Sequence, residues 1–191
     1  MKTCIKLNEF CKSILYYVAH GYKYAKIVYV PSHKSKDKEA ILKKVEAFYN
    51  TGLTRGKRQA KKLRNEANFE AVTFFNVIVI LKTSGEESIT KPNEFQAFRD
   101  LKLLISEHLC LVLFKDEREK WTYRLGRETF LAFRADYEDA FIHGNGKKFH
   151  ALQSKWRGLP KYEGIGKQRI VLNGFLKEWQ KKFKRKWDIR F

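Results

Sequence analysis

The stretch TRGKRQAKKLRNEANFEAVTFFNVIVILKTSG, residues 54–85, joins a strongly basic segment to the longest apolar run of the chain. The apolar run, residues 71–81, does not alternate between polar and apolar side chains and is rich in β-branched residues. This pattern predicts a strand buried on both faces, which we place at residues 69–83. The basic segment before it carries these cationic side chains: Arg55, Lys57, Arg58, Lys61, Lys62 and Arg64.

The basic segment is expected to form a short helix or helical arm, with Thr54 as its N-terminal cap. Its only apolar residues are Ala60 and Leu63, so it has almost no face to bury against a core. We therefore expect an arm over residues 54–66 that is poorly ordered alone and becomes helical against a nucleic acid or a partner.

The region before this stretch predicts strands followed by a helix. Residues 14–30 are rich in Tyr, Val and Ile, which favours two strands joined by a turn at His20-Gly21, or alternatively one long bent strand. A helix is expected at residues 37–49, with Asp37 as its N-terminal cap and Gly52 at its C-terminal cap.

The region after it predicts a loop at residues 84–93 and then three short strands. The strands are placed at residues 101–106, 109–114 and 120–125, and the charged turn 116–119 makes the last two a hairpin. From Arg127 the apolar period becomes helical, and breaks at Gly144-Asn145-Gly146 and Leu159-Pro160 divide it into three helices.

These elements predict an α+β fold: a mixed, mainly antiparallel sheet with one or two helices, followed by a C-terminal three-helix segment. We expect residues 1–126 to form an α+β core domain that carries the basic arm 54–66. Residues 127–191 are expected to form a helical, strongly basic subdomain packed on it.

Charge points to a polyanionic partner. The net charge is +19, but residues 84–145 hold 9 basic and 12 acidic residues, whereas residues 146–191 hold 14 basic and 3 acidic residues. A charge kept only for solubility has no reason to segregate in this way. Nucleic acid is the first candidate ligand, and an anionic membrane surface is the second.

The cellular setting is expected to be the cytoplasm. Cys4, Cys11 and Cys110 include no C-x-x-C pair, so neither a disulfide framework nor a zinc site is predicted. The N-terminal apolar run is too short and interrupted for a secretory signal, and no apolar stretch approaches the length that spans a membrane.

The C-terminal region supplies the second set of predicted phosphate ligands. Trp179, Phe183 and Trp187 follow one another at i, i+4 and i+8, which predicts an apolar seam on the last helix with lysines projecting outward. Arg190 adds a further charge at the end of this tail. The predicted phosphate ligands of this region are Lys147, Lys148, Lys155, Arg157, Lys167, Arg169, Lys177, Lys181, Lys182, Lys184, Arg185 and Lys186.

Two resemblances bear on this region and on the layout of the chain. Residues 164–169, followed by Gly174-Phe175, resemble the glycine-rich loop of repeat-associated RNA-binding proteins of CRISPR systems, although Leu176 replaces the final glycine. The intervening residues also have helical spacing, and in a helix Gly164 and Gly166 form its N-terminal loop. The backbone N–H groups of that loop either meet a phosphate or only cap the helix. Three further features are His20-Gly21-Tyr22, the basic segment 55–64 with the strand 69–83 ending in Thr83-Ser84-Gly85, and Leu159-Pro160-Lys161-Tyr162 before the basic last helix. In their order over residues 13–185, the layout resembles a group of basic bacterial proteins with no established activity. That group usually has a longer arginine-led strand and a further His-Gly, which this chain lacks.

No catalytic signature, cofactor fingerprint or metal-ligand spacing is present in the sequence. We expect a nucleic-acid-binding protein, contacting mainly phosphates, in a bacterial or mobile-element nucleoprotein assembly with other protein subunits, and no membrane. One alternative is a nuclease or strand-transfer factor with a site near His143 and His150 or near Asp116. Another is a subunit whose basic face docks on an acidic partner, with residues 84–145 as the interface. DNA and RNA are not distinguished.

Overall fold

A computed structural model describes residues 1–87, 89, 94–99 and 101–189 of the chain. Residues 88 and 90–93 of the predicted loop, and Arg190, lie outside the described residues. The chain divides into two compact units, Met1–Leu101 and Lys102–Phe191. The predicted fold class is confirmed, since the chain has a mixed α and β content with helices at its C-terminal end.

The first unit is built on a five-stranded sheet. Its strands are β1 (Lys2–Cys4), β2 (Tyr22–Tyr29), β3 (Phe69–Phe74), β4 (Val77–Thr83) and β5 (Gln96–Ala97). They lie in the order β1-β3-β4-β2-β5, and β1 is parallel to β3 while the other neighbours are antiparallel. The expected mixed, mainly antiparallel sheet is therefore confirmed.

The single strand predicted at residues 69–83 was wrong, because the chain turns back at Phe75 and Asn76. One strand of this length would extend for about 50 Å, which is too long for a small domain. Phe75 takes up the left-handed backbone conformation, with φ of 43°, and is 66% exposed. The other part of the prediction was right, since β3 is buried along its whole length and β4 along most of it.

Two helices contact this sheet, and the first was missed. Helix α1 (Leu7–Ala19) occupies residues that we had assigned to a strand, and it buries Phe10, Cys11, Ile14 and Val18. These residues are spaced by three or four, which is the period of a helix. The helical pattern begins at Leu7. The predicted strand began at residue 14 and therefore included only the last part of this pattern.

Helix α2 (Lys38–Tyr49) agrees with the prediction, and its N-terminus follows a 3₁₀ turn at Ser32–Asp37. Its C-terminal cap differs from the expected Gly52, because Asn50 takes up the left-handed conformation there. Leu42 and Tyr49 of α2 belong to one buried cluster with Phe69 and Ile80 of the sheet.

Helix α3 (Arg55–Leu63) follows, as predicted, and Thr54 caps it. None of its residues is buried, which confirms that it has no core face. Its attachment to the sheet is described with the candidate interface below.

The second unit contains the three predicted strands and the three predicted helices within its described residues. Their bounds are β6 (Leu101–Ser106), β7 (Leu109–Lys115), β8 (Trp121–Leu125), α4 (Arg127–Ile142), α5 (Gly146–Arg157) and α6 (Glu163–Lys182). The strands form their own sheet in the order β6-β7-β8, and β8 packs against α6. The division after Leu101 differs from the expected boundary after residue 126, because these strands share a unit with the helices rather than with the first sheet.

The core of the second unit is aromatic. The rings of Phe141, Phe149 and Trp156 are fully buried between the helices, and Tyr123 is buried beneath α6. Gly144 has φ of 62°, a conformation that glycine adopts without strain, and it allows the tight turn between α4 and α5. No helix in the described part of the chain combines the length and the apolar character needed to cross a membrane.

Candidate nucleic-acid interface

Helix α3 presents exposed cations in the first unit. Arg55, Lys57 and Lys62 are exposed and Lys61 is half-buried, and none of them forms an ion pair with a described residue. The Oγ1 of Thr54 accepts the backbone N–H of Lys57 at 3.5 Å, which begins the helix. Burial cannot hold this helix in place, so its position depends on specific polar contacts.

Arg58 provides the principal contact between α3 and the sheet. Its guanidinium forms an ion pair with Glu70, whose side chain is only 2% exposed, and the Nδ2 of Asn68 donates a hydrogen bond to the Arg58 carbonyl at 3.2 Å. Arg58 was predicted to bind phosphate, but the structure assigns its charge to this internal pair. The sequence held one signal for it: Glu70 is the only acid in the predicted strand 69–83.

Glu70 lies in a poorly solvated pocket between α1 and the sheet. Burial raises its pKa, and the nearby Arg58 and the N-terminal amine partly offset that effect. Tyr17 donates a hydrogen bond to the same carboxylate, and burial together with the charge of Glu70 raises the pKa of this tyrosine. Side chains of α1 and α3, Tyr17 and Arg58, thus both contact the buried carboxylate of Glu70 on β3.

A groove of about 440 Å³ runs beside α3, and we call it the α3 groove. It is lined by Asn50, Leu53, Lys57, Ala60, Lys61, Arg64 and Glu66. Lys57, Lys61 and Arg64 are spaced as i, i+4 and i+7, so they form one stripe of positive charge along the helix. The Nε of Arg64 donates to Glu66 at 2.5 Å, and this contact lowers the pKa of the glutamate. The groove is therefore basic, and Glu66, the one acid among its described lining residues, is already paired with Arg64.

Helix α6 places the second basic surface. It buries Ile165, Leu172, Leu176 and Trp179. Of the predicted seam, only Trp179 lies within the helix, because α6 ends at Lys182. The side chain of Gln168 both donates to the Leu125 carbonyl, at 3.1 Å, and accepts the Leu125 backbone N–H, at 2.8 Å. These two bonds fix the rotation of α6 against β8, and hence the direction in which its lysines project.

The glycine-rich loop predicted at residues 164–169 is the first turns of α6 rather than a loop. Gly164 is buried, and a Cβ atom added there would lie 2.5 Å from the carbonyl oxygen of Tyr123. This glycine serves close helix–strand packing, because no larger residue fits. The resemblance to the RNA-binding glycine loop was therefore wrong as a structural interpretation.

The chain beyond α6 folds back over the helices. Trp187 was predicted to lie on the last helix, but α6 ends at Lys182. Lys184 then turns the chain, with φ of 51°. Trp187 then packs against Phe141 and Phe149, with ring centroids 4.7 Å and 4.8 Å away.

Two glutamines fix the backbone of this returning segment. Gln180 donates a side-chain hydrogen bond to the Trp187 carbonyl, and Gln153 donates one to the Asp188 carbonyl at 2.8 Å. The guanidinium of Arg185 lies against Gly144, where an added Cβ atom would be 2.6 Å from its Nη2. The segment therefore has a defined course over α4 and α5.

The folded segment and α6 enclose a groove of about 770 Å³, which we call the C-terminal groove. It is lined by Lys177, Gln180, Lys181, Lys184, Arg185, Lys186, Trp187 and Asp188. Its four lysines are exposed and form no ion pair with any residue that the structure describes. Lys182 lies over the ring of Phe183 instead, at 5.1 Å from the centroid.

The remaining predicted ligands are divided between paired and unpaired cations. Lys148 bridges Asp136 and Asp139, at 2.8 Å and 2.9 Å, and Lys167 pairs with Glu117 at 3.0 Å. These two are less suited to phosphate than the sequence suggested, because an acid already neutralises each of them.

Lys147 and Lys155 are exposed and form no ion pair with a described residue, whereas Arg169 is half-buried. Arg157 is exposed and lies near the hydroxyl of Tyr137. The sequence also predicts that segment 55–64, residues 147–169 and residues 177–190 form one contiguous basic surface. Segment 55–64 belongs to a different unit from the other two, so this stays a prediction.

The residues considered for catalysis have structural roles. Asp116 accepts the backbone N–H groups of Arg118 and Lys120, both at 2.9 Å, and these bonds lower its pKa. His143, which follows the last residue of α4, contacts Asp139 of that helix at 3.0 Å. Across residues 1–87, 89, 94–99 and 101–189, no three His, Cys, Asp or Glu side chains are grouped so as to hold a metal ion.

Comparison with protein families, with characterised proteins and with solved structures yields no significant match to this chain. The layout resemblance to a group of basic bacterial proteins therefore stays a prediction. The two grooves and their charges are the basis on which function is assigned.

Proposed function

We propose that this protein binds nucleic acid through the phosphate backbone, with weak sequence specificity, as a subunit of a bacterial or mobile-element nucleoprotein complex. The observation that carries the proposal is the concave basic surface in each unit, whose lining lysines form no ion pair with a described residue. These lysines are Lys57 and Lys61 in the α3 groove, and Lys177, Lys181, Lys184 and Lys186 in the C-terminal groove. Concave positive surfaces concentrate polyanions and raise their rate of association.

The residue types favour phosphate over base recognition. Lysines outnumber arginines in both grooves, and a lysine ammonium acts as a point charge without the bidentate fork that reads guanine. Backbone contacts of this kind position a nucleic acid but carry no sequence information. The three free cysteines are consistent with a proposed site of action in the reducing cytoplasm.

The test is the salt dependence of binding, measured by fluorescence anisotropy with labelled single-stranded and duplex DNA and RNA. Neutralising about four phosphates in one groove predicts a log–log slope of about −3 for a single strand. The affinity should then fall about 50-fold between 50 and 200 mM salt. An affinity that does not change with salt would overturn the proposal.

Charge reversal assigns the binding to the grooves. Lys57→Glu/Lys61→Glu/Lys62→Glu removes three cations from α3, and we expect it to weaken binding more than about 10-fold and to flatten the salt slope by about 2. The matched control is Lys36→Glu/Lys43→Glu/Lys44→Glu, which reverses three exposed lysines in or just before α2 that line neither groove. Equal losses in the two variants would show that net charge alone, and not the groove, determines binding.

A further inference from the structure

The C-terminal groove differs from the α3 groove because it contains an aromatic ring. Trp187 lines it together with cations from α6 and from the returning segment. None of the described residues that line the α3 groove is aromatic. A purely electrostatic surface has no need of an indole, so this ring points to the class of ligand.

Trp187 is a fixed and partly exposed platform. Its ring lies over the fully buried Phe141 and Phe149, with interplanar angles of 37° and 39°, and the residue as a whole is half-buried and lines the groove. The bonds from Gln180 and Gln153 hold the backbone at residues 187 and 188. A ring held in this way loses little conformational entropy when it binds a ligand.

The uncharged polar side chain of the groove suits a base edge better than a phosphate. Gln180 uses its amide N–H₂ on the Trp187 carbonyl, and its amide oxygen accepts no hydrogen bond from the described residues. An amide oxygen accepts hydrogen bonds from the amino groups of bases, but it has nothing to donate to a phosphate.

We infer that the C-terminal groove binds unpaired nucleotides of a single-stranded nucleic acid, with a base stacked on Trp187 and phosphates on Lys177, Lys181 and Lys184. Stacking on an aromatic side chain tolerates any base, so it agrees with weak sequence specificity. The bases of a duplex are stacked on one another and cannot reach the ring. This inference rests on the proposed function and adds a preference for single strands.

The test compares the full chain with Trp187→Leu and Trp187→Phe. Leucine keeps an apolar contact with Phe141 and Phe149 but removes the stacking surface. We expect the ratio of single-strand to duplex affinity to fall about 10-fold in Trp187→Leu and less in Trp187→Phe, in anisotropy titrations at one salt concentration. The salt slope should stay the same, because no charge is removed.

Trp121→Leu is the matched control, since Trp121 is a half-buried tryptophan of the same unit that does not line the groove. It should leave the affinity ratio unchanged. Titrations with single-stranded RNA and DNA of the same sequence show which of the two the groove prefers. A loss of affinity for either strand in Trp187→Leu supports the inference.

A second measurement uses the unaltered protein, so it does not depend on the folding of a variant. Ultraviolet crosslinking of a single strand containing 5-bromouracil, followed by mass spectrometry, should mark Trp187 and not Trp121. Strong, salt-sensitive binding with an unchanged affinity ratio in Trp187→Leu, or with no crosslink at Trp187, overturns the inference and leaves the proposed function in place. Failure to bind any strand overturns the proposed function itself.

Discussion

The ion pair between Arg58 and Glu70 gives a direct test of how helix α3 is held. Arg58→Ala removes the cation and leaves a carboxylate that is 2% exposed facing α1 and the sheet. The partners that remain near Glu70 are the hydroxyl of Tyr17 and the N-terminal amine. We expect the first unit to lose stability, because an unpaired buried charge is costly.

The magnitude follows from the burial of the two partners. Removing one member of a fully buried pair costs about 3–5 kcal/mol. Arg58 is 36% exposed, so solvent screens part of the interaction, and the expected loss is about 2 kcal/mol near pH 7.5. For a unit of this size, that loss lowers the melting temperature by about 8–16 °C.

The loss should also depend on pH in a defined direction. Burial raises the pKa of Glu70 in the folded chain, so the folded state binds this proton more tightly than the unfolded state does. Stability therefore falls as the pH rises from the unfolded value of about 4.3 through the folded value. Removing Arg58 raises the folded pKa further, so the cost of Arg58→Ala should be largest above that value and shrink toward pH 4.5.

Thermal and urea unfolding at pH 7.5 and pH 5 checks both statements. Glu70→Gln removes the charge, so Arg58→Ala/Glu70→Gln should be more stable than Arg58→Ala alone at pH 7.5. Arg55→Ala is the control, because Arg55 is an exposed arginine of the same helix without an ion pair to a described residue. Equal unfolding free energies for Arg58→Ala and Arg55→Ala, or a cost that does not change with pH, would refute the reasoning.

Two further predictions concern backbone positions, and each is checked by thermal unfolding. Gly164→Ala places a Cβ atom 2.5 Å from the Tyr123 carbonyl oxygen and should lower the free energy of unfolding by about 1–3 kcal/mol. Gly174→Ala, where an added Cβ atom meets nothing within 4 Å, should raise it by about 1 kcal/mol. Equal effects of the two substitutions would contradict the packing argument. Phe75→Asn relieves a left-handed backbone at a side chain that is 66% exposed and should stabilise the first unit by about 1 kcal/mol; a loss of stability would show that Phe75 has a packing role.

The sequence predicts elements well where one period governs a whole segment. The three C-terminal helices and the three strands before them follow their patterns because breaks such as Gly144-Asn145-Gly146 contain residues that favour turns. The hairpin of β3 and β4 was missed since the turn is made by Phe75 and Asn76, and phenylalanine does not signal a turn. Only the length of the segment 69–83 argues for this turn, because two short strands fit in a small unit and one strand of that length does not.

The candidate site is less predictable, because the role of a cation depends on which acid the fold brings next to it. Local pattern identifies the stripe Lys57, Lys61 and Arg64, since the spacing i, i+4, i+7 is visible in the sequence. It does not identify the partner of Lys167, because Glu117 is 50 residues away along the chain. The C-terminal groove also could not be derived, since it depends on the reversal of the chain after Lys182.

Arg58 connects the stability of the first unit to its proposed binding surface. Helix α3 buries no residue, so its place depends on the Thr54 cap, the Asn68 contact and the ion pair with Glu70. The cations that line the α3 groove are on the same helix, and their common orientation therefore depends on this anchor. In Arg58→Ala, the affinity for nucleic acid should fall by more than the loss of one phosphate contact explains. In Arg55→Ala, the affinity should fall only by the effect of the one charge that is removed. A similar loss in both variants would mean that the groove functions without the anchor and that α3 orders on its ligand alone.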